Sequence, residues 1–178
     1  RTYGGDGGSK AAPVSAAKND DGADVYTGYI EWKDNMLQVD SAEFITQDDE
    51  KRMAELNLSE ADLPYGYYIY NPSEDVLKFE IDDYASVSYY SYEPESSSVI
   101  PNIETNESSF YWRSGEDRKA FLKFLYGGGT ARLIPFEITV EDGAVTAIKQ
   151  ELTFSVFARS GQTEEFARNL SERQKAEY

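Results

Sequence analysis

The tyrosines are the residues whose type and spacing most invite a chemical reading. Eight of the 14 stand in two short runs, Tyr65, Tyr67, Tyr68 and Tyr70, then Tyr84, Tyr89, Tyr90 and Tyr92. Along a strand, alternate side chains share a face, so Tyr68 joins Tyr70, and Tyr84 joins Tyr90 and Tyr92. A phenol ring held beside carboxylates can stack on a sugar ring while its hydroxyl hydrogen-bonds. Tyr68, Tyr70, Tyr84, Tyr90 and Tyr92 are therefore the candidate ligand-binding face. A plainer role competes: Tyr favours strands, and its ring packs while its hydroxyl stays in water.

Carboxylates are the second group able to do chemistry. Glu31, Asp40 and Glu43 fall on one predicted hairpin, and glycoside hydrolysis needs two carboxyls roughly 5 to 10 Å apart, one with a raised pKa. With 33 acidic residues in the chain, chance neighbours are expected. Asn19-Asp20-Asp21-Gly22-Ala23-Asp24 has the flavour of a calcium loop, but it lacks the alternating spacing and closing Glu and reads as linker. Gly127-Gly128-Gly129-Thr130 lacks the Lys of a phosphate loop and follows a helix, so it reads as a helix stop. The chain contains no His and no Cys. Thiol nucleophiles, imidazole bases, Ser-His-Asp triads and the common zinc sites are thereby removed. Catalysis would fall to carboxylates, Tyr, Lys, Ser or an oxygen-ligated cation. No catalytic residue, cofactor or metal ligand is assigned from the sequence.

The 178 residues suit one domain. A core of that size needs no disulfide or metal to hold it, and an apolar fraction of 40% with 14% aromatic residues supplies it. Against 33 acids stand 17 Lys and Arg, for a net charge of −16. Such a surface favours solubility, repels phosphate backbones and anionic headgroups, and argues against nucleic-acid partners. No apolar run is long enough to span a bilayer, so direct membrane insertion is not expected. No signal peptide is read in a chain that begins at Arg1, which suggests a processed or truncated form.

Residues 1–22, rich in Gly, Ser, Ala, Lys and Asp, form a flexible leader. Val25 to Trp32 and Met36 to Thr46 make a hairpin about Asp34-Asn35, with Leu37, Val39, Ser41, Glu43 and Ile45 on one face. A helix of two to three turns follows over 47–58, capped by Asp48 and carrying Met53 and Leu56 inward. Tyr67 to Tyr70, Val76 to Ile81 and Tyr84 to Tyr92 read as three strands, and Glu93 to Ser109 as a long loop. Ser114 to Asp117 has the form of a capping box for a second helix, with Phe121, Phe124 and Leu125 on its inner face. Ile134, Phe136, Ile138 and Val140 alternate along a strand. Asp142-Gly143 turns it back, and Val145 to about Phe157 returns, with a bulge where Val145 and Ile148 fall out of phase. The expected fold is α+β, mostly β: a small antiparallel OB-like barrel over 23–160 with two short helices. Residues 161–178 form a charged tail suited to a C-terminal helix.

Four segments carry a resemblance. VDSAEFIT (Val39 to Thr46), DDEKRMAELNL (Asp48 to Leu58), PYGYYIYNP (Pro64 to Pro72) and PFEITVEDGAVTAIKQEL (Pro135 to Leu152) together resemble a group of uncharacterised exported or lipid-anchored proteins of Gram-positive bacteria. The resemblance covers about Val25 to Leu152, and the tail beyond Phe157 departs from it. Its motifs are turns and strand faces and bring no catalytic residue with them. It implies an extracellular or cell-surface location, with a lipid anchor carried upstream of Arg1. The expected function is a non-catalytic envelope module that binds or scaffolds a protein or glycan through its barrel face. A carbohydrate-binding domain using the Tyr-rich strands stands second, and a carboxylate-dependent hydrolase third.

Overall fold

Turn chemistry starts the fold. Asn19 Oδ1 accepts the N–H groups of Asp21 and Ala23 at 3.0 and 2.9 Å, an Asx turn that folds the chain back on itself. The short strand β1 (Ala17–Lys18) therefore pairs with the start of β2 (Asp24–Lys33). The last residues of the expected leader thus belong to the sheet. In the computed structural model, residues 12–64, 66–91, 99–102, 107–127 and 131–151 are described. The expected helix over 161–178 and the strand end at 152–157 lie outside them.

β2 turns into β3 (Met36–Thr46) through Asp34 and Asn35, whose φ values of 55° and 59° are left-handed. Two such residues give the turn whose twist matches paired strands. The first helix, α1 (Glu50–Glu55), is shorter than expected: Asp49 stands at its N-cap without a side-chain cap, and none of its residues is buried. The cap position is Asp49, not Asp48, and the Asp49 side chain is turned away from the helix, its Oδ2 accepting the N–H of Thr46 at 3.4 Å. β4 (Tyr67–Tyr70) then pairs with the end of β3.

β5 (Leu77–Tyr90) is one strand of 14 residues where the sequence suggested two. The Asp82-Asp83 interruption is a kink inside it. Between Ile81 and Ser86 the strand takes five steps while its neighbour takes two, from Val145 to Ala147. The expected long loop also contains structure: β6 (Ile100–Asn102) and β7 (Glu107–Tyr111) pair with each other, and β7 pairs with β5. After α2 (Gly115–Tyr126), capped by Ser114, come β8 (Phe136–Glu141) and β9 (Ala144–Gln150), joined at Asp142-Gly143 with φ of 50° and 80°. Their register skips Thr146, which is the expected bulge.

The strand order β4-β3-β2-β8-β9-β5-β7-β6, with an added β3–β5 pairing, closes β3, β2, β8, β9 and β5 into a ring. The molecule is α+β, mostly β, as expected, with five strands closed into a ring. It departs in one respect, since β5 runs parallel to β9 and the ring is not wholly antiparallel. A parallel pair needs a long crossover, and the segment from β5 to β9, with α2 in it, supplies one.

Ile30, Leu37, Val39, Val87, Phe136, Ile138, Val145 and Ile148 point inward from the ring strands into one core. α2 adds Ala120, Phe121 and Leu125 to that core. Phe121 is the hub. Its ring centroid lies 5.5 Å from Tyr89, 6.0 Å from Phe136 and 6.2 Å from both Phe110 and Trp112. At the end of α2 the Tyr126 hydroxyl accepts the Trp32 N–H at 2.8 Å and lies 3.3 Å from the Trp32 carbonyl, tying the helix to β2.

Candidate functional site

Alternation along β5 and β7 separates a dry face from a wet one. Ala85, Val87 and Tyr89 are buried, as are Ser108, Phe110 and Trp112. Tyr84, Ser86, Ser88 and Tyr90 therefore point outward, together with Glu107, Ser109 and Tyr111. The register sets Ser86 opposite Tyr111, Ser88 opposite Ser109 and Tyr90 opposite Glu107. Ile100 of β6 stands opposite Ser109 and extends the same face.

Two tyrosines dominate this surface. Tyr84 is 66% exposed and Tyr111 62%. Because Tyr111 faces Ser86, Tyr84 is its diagonal neighbour, a separation of roughly 7–8 Å that aromatic side chains bridge. The Asp82 carboxylate accepts the Tyr84 N–H at 2.8 Å and fixes the backbone where the strand kinks. Arg113 lies over the Tyr84 ring, 5.1 Å from its centroid, and donates a short hydrogen bond to the Tyr84 hydroxyl. Beyond Ser86 and Tyr111 the surface is hydroxyl-rich, with Ser88 and Ser109 in contact at 3.1 Å through their Oγ atoms. The far end of β5 is anchored from below, where the Tyr90 N–H donates to Oε1 of buried Gln150 at 2.8 Å.

The structure divides the expected tyrosine face. Tyr84 and Tyr90 stand on the β5–β7 surface. Tyr68 and Tyr70 are half-buried on β4, which pairs with β3 over Glu43–Thr46, whereas β5 meets β3 over Leu37–Val39 and reaches β7 only beyond Ser86. The two groups thus lie toward opposite ends of the ring. Tyr92 lies outside the described residues. The unexpected members are Tyr111 and Arg113. The aromatic run Phe110-Tyr111-Trp112 was the available signal, standing just beyond the Glu93 to Ser109 stretch that reads as loop.

Of the three acids of the first hairpin, Glu31 and Asp40 share a face as diagonal neighbours, and Glu43 is held apart from them by Arg52. Asp40 accepts from Asn71 Nδ2 at 2.8 Å. Glu43 receives Nε and Nη2 of Arg52 at 2.8 and 2.7 Å, while Glu31 sits opposite Gln38. Arg52 also donates to Glu55 at 2.5 Å and lies 5.7 Å over the Tyr70 ring. The hydrogen bonds that it donates to Glu43 and then Glu55 hold its pKa above the usual arginine value. Among the described residues no group of three or more acids is placed to hold a metal ion, and no helix is long and apolar enough to cross a membrane. The Asn19–Asp24 segment, loosely like a calcium loop in sequence, is the turn between β1 and β2.

Comparison with protein-family models, with curated proteins and with solved structures finds no match.

Proposed function

We propose that this chain is a non-catalytic binding module of the cell envelope or exterior, and that it grips its ligand along the outer face of β5 and β7. One observation carries the reading: Tyr84 and Tyr111, two large rings, stand more than half exposed as diagonal neighbours on a rigid sheet. Rings of this kind offer a wide amphipathic contact at small entropic cost, which is why Tyr, Ser and Arg recur at recognition surfaces. The net charge of −16 points away from nucleic acid and anionic lipid as ligands. The envelope location rests on the resemblance carried by Val39 to Thr46, Pro64 to Pro72 and Pro135 to Leu152.

A second reading takes the ligand to be a polysaccharide. Ser86, Ser88 and Ser109, on one face with Tyr84, Tyr90 and Tyr111, favour it, since aromatic and hydroxyl groups side by side suit a glycan.

The test is position-specific photocrosslinking. A photoreactive amino acid replaces Tyr111 in one protein and Glu137, on the outer surface of β8, in another. Both are mixed with wall and membrane fractions of a Gram-positive bacterium. Adducts from position 111 and not from 137 are expected. Equal labelling from both positions, or none from either, rules the reading out.

A further inference from the structure

β3 leaves β2 part-way along its length. The two strands pair from Lys33 opposite Met36 to Thr27 opposite Ala42, after which β3 turns to β4. β1 occupies the vacated side of β2 at Asp24 and Val25. Next to this divergence lies an open-sided cavity of about 530 Å³. One wall is the strap Ala12–Ala17, and the other carries Glu43, Arg52, Tyr70 and Pro72. Its volume falls within the roughly 300–1,000 Å³ typical of small-ligand sites.

The lining has a definite chemistry. Ala12, Pro13, Val14 and Ala16 make the strap apolar. Facing it are a phenol ring, a carboxylate and a guanidinium. The last two are locked by the paired Arg52–Glu43 bonds at 2.8 and 2.7 Å. Glu43 and Glu55 both bond Arg52, and Lys51 lies 4.0 Å from Glu55, so the cluster is formally neutral and favours neither an anion nor a cation. Three guanidinium N–H groups are used in these contacts, leaving two of the five as donors, and the Glu43 oxygens keep lone pairs as acceptors. A ligand that suits an aromatic ring, an apolar wall, fixed donors and fixed acceptors has C–H faces and a rim of hydroxyls.

We propose that this cavity binds a neutral pyranose, with the sugar ring against Tyr70 and its hydroxyls bonded to Glu43 and Arg52. The site is separate from the β5–β7 surface and does not depend on that surface binding anything. The second group of tyrosines thus has a role of its own, through Tyr70.

An NMR titration of the full isotope-labelled chain tests it, with the β-linked tetramers chitotetraose and cellotetraose as probes. At least one probe is expected to produce saturable shifts at residues 14–17, 43, 52 and 70. Tyr70→Ala is expected to weaken binding about tenfold, the effect of losing one aromatic platform. Tyr70 also packs within β4, so a second variant is needed. Ser15→Trp, on the exposed strap, fills the cavity from its rim and should abolish the shifts while leaving the rest of the spectrum in place. Absence of shifts at the cavity with both sugars at tens of millimolar overturns the proposal. So do shifts that survive Ser15→Trp, shifts confined to Tyr84 and Tyr111, or a response to 1,4-diaminobutane but to neither sugar.

Discussion

The Asp82 side chain holds the backbone N–H of Tyr84 at 2.8 Å, two residues on, inside a continuous strand. This local bond satisfies the Tyr84 N–H in the stretch between Ile81 and Ser86 where pairing with β9 is interrupted, and Tyr84 stands exposed there beside Arg113. Asp82→Ala removes the acceptor from an exposed turn. A loss of about 0.5–1.5 kcal/mol is expected, read as a lower urea midpoint with an unchanged slope. An unchanged midpoint shows that the kink holds itself.

Phe121 and Tyr84 give opposite expectations for the same chemical change. Phe121 is fully buried among Tyr89, Phe110, Trp112 and Phe136. Phe121→Ala empties the hub between α2 and the ring, and a loss of about 3–5 kcal/mol is expected. Tyr84→Ala, at a site that is mostly solvated, is expected to change stability by no more than about 0.5 kcal/mol. Denaturant unfolding of both proteins checks the pair. A large loss from Tyr84→Ala would mean that its ring is structural.

Gly28 marks where β2 is gripped from both sides, opposite Ser41 on β3 and Phe136 on β8. A Cβ there would lie 2.5 Å from the Asp40 carbonyl oxygen, a backbone atom. Gly28→Ala therefore forces two paired strands apart, and a cost of about 1–3 kcal/mol is expected. Hydrogen exchange should show the loss first in the N–H groups of Thr27 to Ile30.

What was legible in the sequence was local. Asp34-Asn35 and Asp142-Gly143 announce two-residue turns because few residue pairs accept left-handed φ, and both turns are present. Ile134, Phe136, Ile138 and Val140 alternate cleanly, and all four are buried. What was hidden depends on distant partners. The β5–β9 seam joins residues some sixty positions apart and is parallel, so no turn between them advertises it. β6 and β7 are short, and they are strands because β7 pairs with an edge of β5 and β6 pairs with β7. The same blindness split the candidate site: strand parity grouped Tyr84 with Tyr90, but only the register of β7 could add Tyr111 and Arg113. α1 failed as a core helix because Arg52 ties it to Glu43 at the surface, and its apolar stripe of Met53 and Leu56 is only half-buried.

The most direct test of binding along β5 and β7 is co-sedimentation with purified Gram-positive cell-wall material, comparing the wild-type chain with Tyr84→Ser/Tyr111→Ser. The double variant should keep the wild-type melting temperature to within about 2 °C, since both rings are largely in water. Its affinity should fall at least about tenfold, as for the loss of two contact residues at a recognition surface. A double variant that sediments as well as the wild type, or a wild type that stays in solution, contradicts the account.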